Sequence, residues 1–150
     1  ARAFPLRLLR LIRAKARRLL QMLPPTDQDY LQVRAPGCAV SLDGGMICVV
    51  IPFFLLPAGF TTASADLLLR LSPGYPDVPP DMWWFAPAIC RTDGHAIQAT
   101  QSQESYLGRS WQRWSRHLNP GQWRSGIDSI ESYLALVRKE LDAAARSHAA

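Results

Sequence analysis

The apolar positions of this chain fall into stretches of different period, and the periods predict its elements. Over residues 6–20 the apolar side chains at 8, 9, 12, 16, 19 and 20 recur at helical spacing among arginines. That pattern predicts a basic amphipathic helix starting just after Pro5. Pro24-Pro25 ends it, and Thr26 and Asp27 stand where they can cap a short turn through Tyr30 and Leu31 before the chain becomes extended. Residues 38–42 and 46–51 are β-prone runs on either side of Asp43-Gly44-Gly45. A glycine pair permits the positive φ angles of a tight turn, so a hairpin is expected there. Pro52 and Pro57-Ala58-Gly59 then break the sheet or confine the next piece to an edge. Residues 65–71 are apolar enough for a strand buried on both faces, and residues 82–85 supply a fourth strand. From 86 to 122 the chain turns polar and loop-like, anchored by Trp111 and Trp114, and a connection of that length is usually functional or disordered. Residues 127–145 carry an apolar stripe at 127, 130, 133, 134, 137 and 141 that predicts a helix packed on the sheet, with Asp128 and Glu131 near its positive end. The order predicts an α+β fold, an antiparallel four-stranded sheet with flanking helices and one long loop.

Length and charge narrow the function classes. At 150 residues there is room for one domain with a real core. The net charge of +5 invites a nucleic-acid partner, but Arg2, Arg7, Arg10, Arg13, Lys15, Arg17 and Arg18 all lie in residues 1–22, which hold no acid. The remainder has ten basic side chains against twelve acidic ones, so no nucleic-acid partner is expected. The division read from this is an arm at 1–22, additional or even non-native to the domain; the domain itself at 23–146; and a tail at 147–150. The arm's charge reads as a solvated face in preference to a membrane contact. Cys38, Cys48 and Cys90 show no CxxC or Cys/His spacing, so neither a disulfide framework nor a metal site is expected, and a reducing, cytoplasmic setting is the simpler inference. No apolar run reaches the roughly 20 residues of a membrane span, and arginines interrupt the arm where a signal peptide needs an apolar region.

The segment over 65–80, ADLLLRLSPGYPDVPP, joins a buried strand to a stiff turn. Each proline fixes its own φ and biases its predecessor toward extended geometry. Together with the aromatic strand that follows, it resembles the middle of the ubiquitin-conjugating (UBC) fold, where a third strand ends in a YPxxPP turn. Gln122-Trp123-Arg124-Ser125-Gly126-Ile127 resembles the tryptophan turn that precedes a helix in the same fold. Pro79-Pro80-Asp81-Met82-Trp83-Trp84 and the segment from Gly108 to His117 are most similar to the prokaryotic UBC-like family E. The resemblance implies a component of a bacterial ubiquitin-like conjugation pathway, a transferase that carries a ubiquitin-like protein as a thioester from an activating enzyme to a target amine. Its implied partners are a ubiquitin-like protein, an activating-enzyme-like (ThiF-type) protein and a JAMM-type metallopeptidase of the same pathway. No cofactor is implied.

Thioester chemistry needs an accessible cysteine, a base and a donor for the oxyanion. The family's His-Pro-Asn triplet is missing here. Counted from Tyr75, its histidine falls at Cys90, and no cysteine follows; counted from Trp123, the nucleophile position falls near Trp111. Cys90 is therefore the candidate nucleophile, with His95 or His117 to assist it. The alternatives are that Cys90 is a partly buried bystander, or that Ser110 or Ser115 forms an oxyester. His117, among Trp111, Arg113, Trp114 and Arg116, is either catalytic or tied to a backbone carbonyl in a loop tacked down by the tryptophans. His95 reads as a turn residue as well as a candidate. A non-catalytic UBC-like adaptor, which binds a ubiquitin-like protein or an activating enzyme without a covalent bond, remains the alternative function.

Overall fold

The computed structural model describes residues 6–147. Residues 1–5 of the expected arm and 148–150 of the tail lie outside that range. In chain order the elements are α1 (Leu6–Leu20), α2 (Pro25–Arg34), β1 (Ala39–Asp43), β2 (Met46–Leu55), β3 (Ser64–Leu71), β4 (Trp83–Ala86), β5 (Gln103–Tyr106), β6 (Arg109–Trp114) and α3 (Ile130–Arg146). The strands form one antiparallel sheet in the order β1-β2-β3-β4-β6-β5. This is an α+β architecture consistent with a UBC-like fold, with six strands where the sequence pattern predicts four.

The extra pair, β5 and β6, is a hairpin inside the region read as one long loop. Tyr106 pairs with Arg109 across a two-residue turn in which Leu107 and Gly108 both have positive φ, at 54° and 73°. Alternation then sends Trp111 to one face and Trp114 to the other, and both are fully buried. The two tryptophans thus build strand β6. The loop that remains runs from 87 to 102.

Three further differences have local causes. The expected turn at Thr26 and Asp27 is a ten-residue helix, α2, because Pro25 fits a first helical turn and Leu31 can bury its side chain in the core. Pro52 does not end β2; a bulge between Ile51 and Phe54 absorbs it and leaves Phe53 at φ 52°. α3 begins at Ile130, behind a reciprocal Ser129–Ser132 capping box, and leaves Ile127 68% exposed.

The main core lies between α2, α3 and one sheet face. Leu31, Ile130, Leu134, Val137 and Leu141 from the helices meet Val49, Leu67, Leu69, Trp83, Phe85 and Trp114 from the strands. The opposite face carries a smaller cluster with no helix residue in it: Cys48, Leu68, Trp84, Ala86 and Trp111. Long side chains cover that cluster. The Arg70 guanidinium lies 3.7 Å from the Tyr106 ring centroid, and Arg109 lies over Trp111 while pairing with Asp66 at 2.9 Å.

Asp27 joins three parts of the chain. Its carboxylate, 1% exposed, accepts the Tyr75 hydroxyl at 2.7 Å and the Ile130 amide at 2.9 Å. Burial, followed by the Asp27 hydrogen bond, pushes the Tyr75 phenol above its ordinary range. Replacing Asp27 by alanine leaves two buried donors unsatisfied, so urea denaturation is expected to show a loss of about 3 kcal/mol. A loss under about 0.5 kcal/mol, the size of an ordinary surface change, would contradict this.

Candidate functional site

The three cysteines occupy three different environments. Cys48 is fully buried on the helix-free face of the sheet, and burial raises its thiol pKa; Cys38 is half-buried just before β1 and is raised for the same reason. Cys90 is exposed. Only an exposed thiol can meet another protein's carbonyl, which separates Cys90 from the other two.

Cys90 is held by its neighbours on both sides. Ile89 is buried and gripped by Gln112 of β6: the Ile89 amide donates to Gln112 Oε1 at 3.0 Å, and Gln112 Nε2 donates to the Ile89 carbonyl at 3.1 Å. Trp114 Nε1 donates to the same Oε1 at 3.1 Å and fixes the amide's orientation. The Cys90 carbonyl accepts the Thr61 amide at 2.9 Å.

On the other side, Arg91 is buried, with its guanidinium turned toward the end of α3. Nη1 donates to the Ala144 carbonyl at 2.7 Å, to Ser147 Oγ at 2.8 Å and to the Ser147 carbonyl. A cation at a helix C-terminus satisfies carbonyls left without partners and complements the dipole. The same guanidinium holds Asp93 by two bonds, Nε to Oδ1 at 2.9 Å and Nη2 to Oδ2. Arg91, then the His95 amide, keep the Asp93 carboxyl well below the usual carboxylate range.

Asp93 in turn holds His95. Its Oδ1 accepts the His95 amide at 3.0 Å, and its Oδ2 lies 3.2 Å from His95 Nδ1. A proton on Nδ1 leaves Nε2 free to act as a base. Cys90 and His95 both line a cavity of about 250 Å³, with Ile89, Ile97, Thr100 and Gln112 among its other walls. Among the described residues no hydrogen bond joins the Cys90 thiol to His95.

His117 is placed elsewhere. Its Nδ1 lies 2.7 Å from Asp81 Oδ1, so the partner is a carboxylate and not the expected backbone carbonyl. Asp81 and His117 sit at the start of β4, where the Met82 carbonyl accepts the Tyr133 hydroxyl; Cys90 follows the end of β4, where Arg91 reaches Ala144. Tyr133 and Ala144 are about three turns apart on α3, a rise of about 16 Å. The structure therefore brings together Cys90 and His95 and keeps His117 apart. Ser110 is exposed on β6 and donates to Gln103; Ser115 accepts from Arg113 at 3.0 Å. Among the described residues no group of three or more His, Cys, Asp or Glu could hold a metal ion, and no helix is long and apolar enough to cross a membrane.

The model of the family described as Prokaryotic E2 family E matches residues 23–144. The chain belongs to this family. No curated protein and no solved structure matches it. Membership in a prokaryotic E2 family points to a role in a ubiquitin-like conjugation pathway, whose E2 proteins work with a ubiquitin-like protein and an E1. The matched span runs from before α2 to the last turn of α3 and leaves α1 outside it.

Arg91 and Asp93 belong to this candidate site without being singled out by the sequence pattern. The available signal was Asp93-Gly94-His95, an Asp-Gly turn that brings a histidine back toward its own carboxylate. Nothing local marked Arg91, whose partners lie at the far end of α3. In this prokaryotic E2, native-state alkylation with iodoacetamide followed by mass spectrometry is expected to modify Cys90 at least about tenfold faster than Cys48. Equal rates would contradict the placement of Cys90 at the surface.

Proposed function

We propose that this E2 family member carries a ubiquitin-like protein as a thioester on Cys90 and passes it to an amine. The observation that supports the reading most is the exposed Cys90 on the rim of a cavity shared with His95, whose ring Asp93 orients. In the charging step His95 takes the Cys90 proton, and the sulfur attacks the carbonyl of the thioester borne by the activating enzyme. That enzyme's thiolate leaves and takes up a proton. In the second step an amine attacks the Cys90 thioester, forms an amide and releases the Cys90 thiol. Gln112 shapes the wall of the cavity but is committed to Ile89, and Gln101 to the Ile97 carbonyl at 2.8 Å. Each amide nitrogen thus gives one of its two N–H groups to the scaffold.

A second reading is favoured by the missing His-Pro-Asn triplet and by the absence of a Cys90–His95 hydrogen bond: a non-catalytic adaptor that binds the ubiquitin-like protein or the activating enzyme through the folded domain. The two readings part in one experiment. With ATP, the activating enzyme and the ubiquitin-like protein, the carrier reading expects an adduct that a thiol reductant removes and that Cys90→Ala abolishes. Binding with no covalent species would replace it with the adaptor. An adduct unchanged in Cys90→Ala would move the chemistry to another residue.

A further inference from the structure

Two features of this chain stand unused by the carrier reading. The first is α1. It carries Arg7, Arg10, Arg13, Lys15, Arg17 and Arg18 and no acid, and none of its residues is buried. None of these cations is in an ion pair among the described residues. A solvated face accounts for the arginines but not for the apolar stripe, where Leu8, Leu9 and Ile12 are 41%, 38% and 52% exposed. At 100° per residue, Arg13 and Lys15 flank that stripe on opposite sides.

The second feature is a cavity of about 540 Å³ between the start of α2 and the start of α3. Its walls include Tyr30, Pro76 and two exposed apolar side chains, Val33 and Ile127. Asp29, Asp128 and Glu131 line it against one cation, Arg34. Asp128 already accepts the Arg124 amide at 2.7 Å, whereas Asp29 and Glu131 are in no ion pair among the described residues. The buried Asp27 is committed to Tyr75 and Ile130.

A basic helix with an open apolar stripe and an acidic groove with an apolar floor are complementary in charge and in character. Within one copy α1 lies against β1, and none of its residues lines the groove. We propose that α1 of one copy docks in the groove of a second copy, its stripe on Val33 and Ile127 and its cations facing Asp29 and Glu131. The exchange is reciprocal and gives a twofold dimer. Exposed charges are screened over about 8 Å at physiological ionic strength, so the dimer weakens as salt rises.

The test is light scattering on the full chain with two charge-reversed variants. Asp29→Lys with Glu131→Lys reverses the groove, and Arg13→Glu with Lys15→Glu reverses the helix; all four positions are exposed. The expected result is a dimer of the unaltered chain, a dissociation constant raised at least about tenfold in each variant alone, and a heterodimer when the two variants are mixed. The mixture restores both contacts, because the helix of each variant then meets the groove of opposite sign. A monomeric unaltered chain, dimerisation indifferent to either reversal, or a mixture that stays monomeric would each overturn the proposal. So would a monomer that binds anionic vesicles through α1. None of these outcomes depends on whether Cys90 forms an adduct.

Discussion

One buried carboxylate organises this domain. Asp27 accepts the hydroxyl of Tyr75 and the first amide of α3, and so ties α2, the turn after β3 and the α3 N-terminus to a single point. Burying a carboxylate is costly unless its oxygens are satisfied, and the two donors meet that requirement. The tryptophan turn joins the same place: Trp123 Nε1 donates to the Pro76 carbonyl at 2.8 Å, and its ring lies 6.0 Å from Tyr75 and 6.4 Å from Tyr133. The two sequence segments that resemble the UBC fold, far apart along the chain, are therefore in contact. They mark the fold because they pin one end of α3.

The other end of α3 is pinned by Arg91, next to Cys90. α3 thus acts as a strut between the Asp27 junction and the segment that presents the thiol. Its buried face, Val137 and Leu141 among others, holds it against the sheet, and its last carbonyls satisfy a buried guanidinium. Arg91 passes that constraint on to Asp93, and Asp93 passes it to the His95 ring. The candidate thiol and imidazole sit on a loop, as functional side chains often do, but the loop is fixed at Ile89 by Gln112 and at Arg91 by α3.

Much of the fold was legible where a local signal agreed with its environment. The Gly44-Gly45 hairpin, the doubly buried β3 and the span of α1 follow from turn chemistry and periodicity. The β5–β6 hairpin is hidden in the sequence because polar residues fill its exposed positions, and its turn needs only Leu107-Gly108. α2 is weakly signalled because its sequence is largely polar and its anchors, Asp27 and Leu31, are buried by distant partners. Of the candidate site, Cys90 stands out as the one cysteine beyond the proline turn and His95 as a histidine close after it, but their relation to Arg91 and Asp93 depends on bonds across the fold that no local pattern encodes. His117 drew notice through its aromatic and basic neighbours, yet the hydrogen-bonded partner it finds is Asp81.

In the proposed carrier, Cys90 works with His95, held by Asp93, and not with His117. The most direct test is the single-turnover rate of thioester formation in His95→Gln and in His117→Gln, with protein folding checked in each. That pairing predicts a loss of about a hundredfold or more for His95→Gln, the usual scale of general base catalysis, and a change within about threefold for His117→Gln. The reverse order, or equal rates in both variants and the unaltered protein, would contradict it.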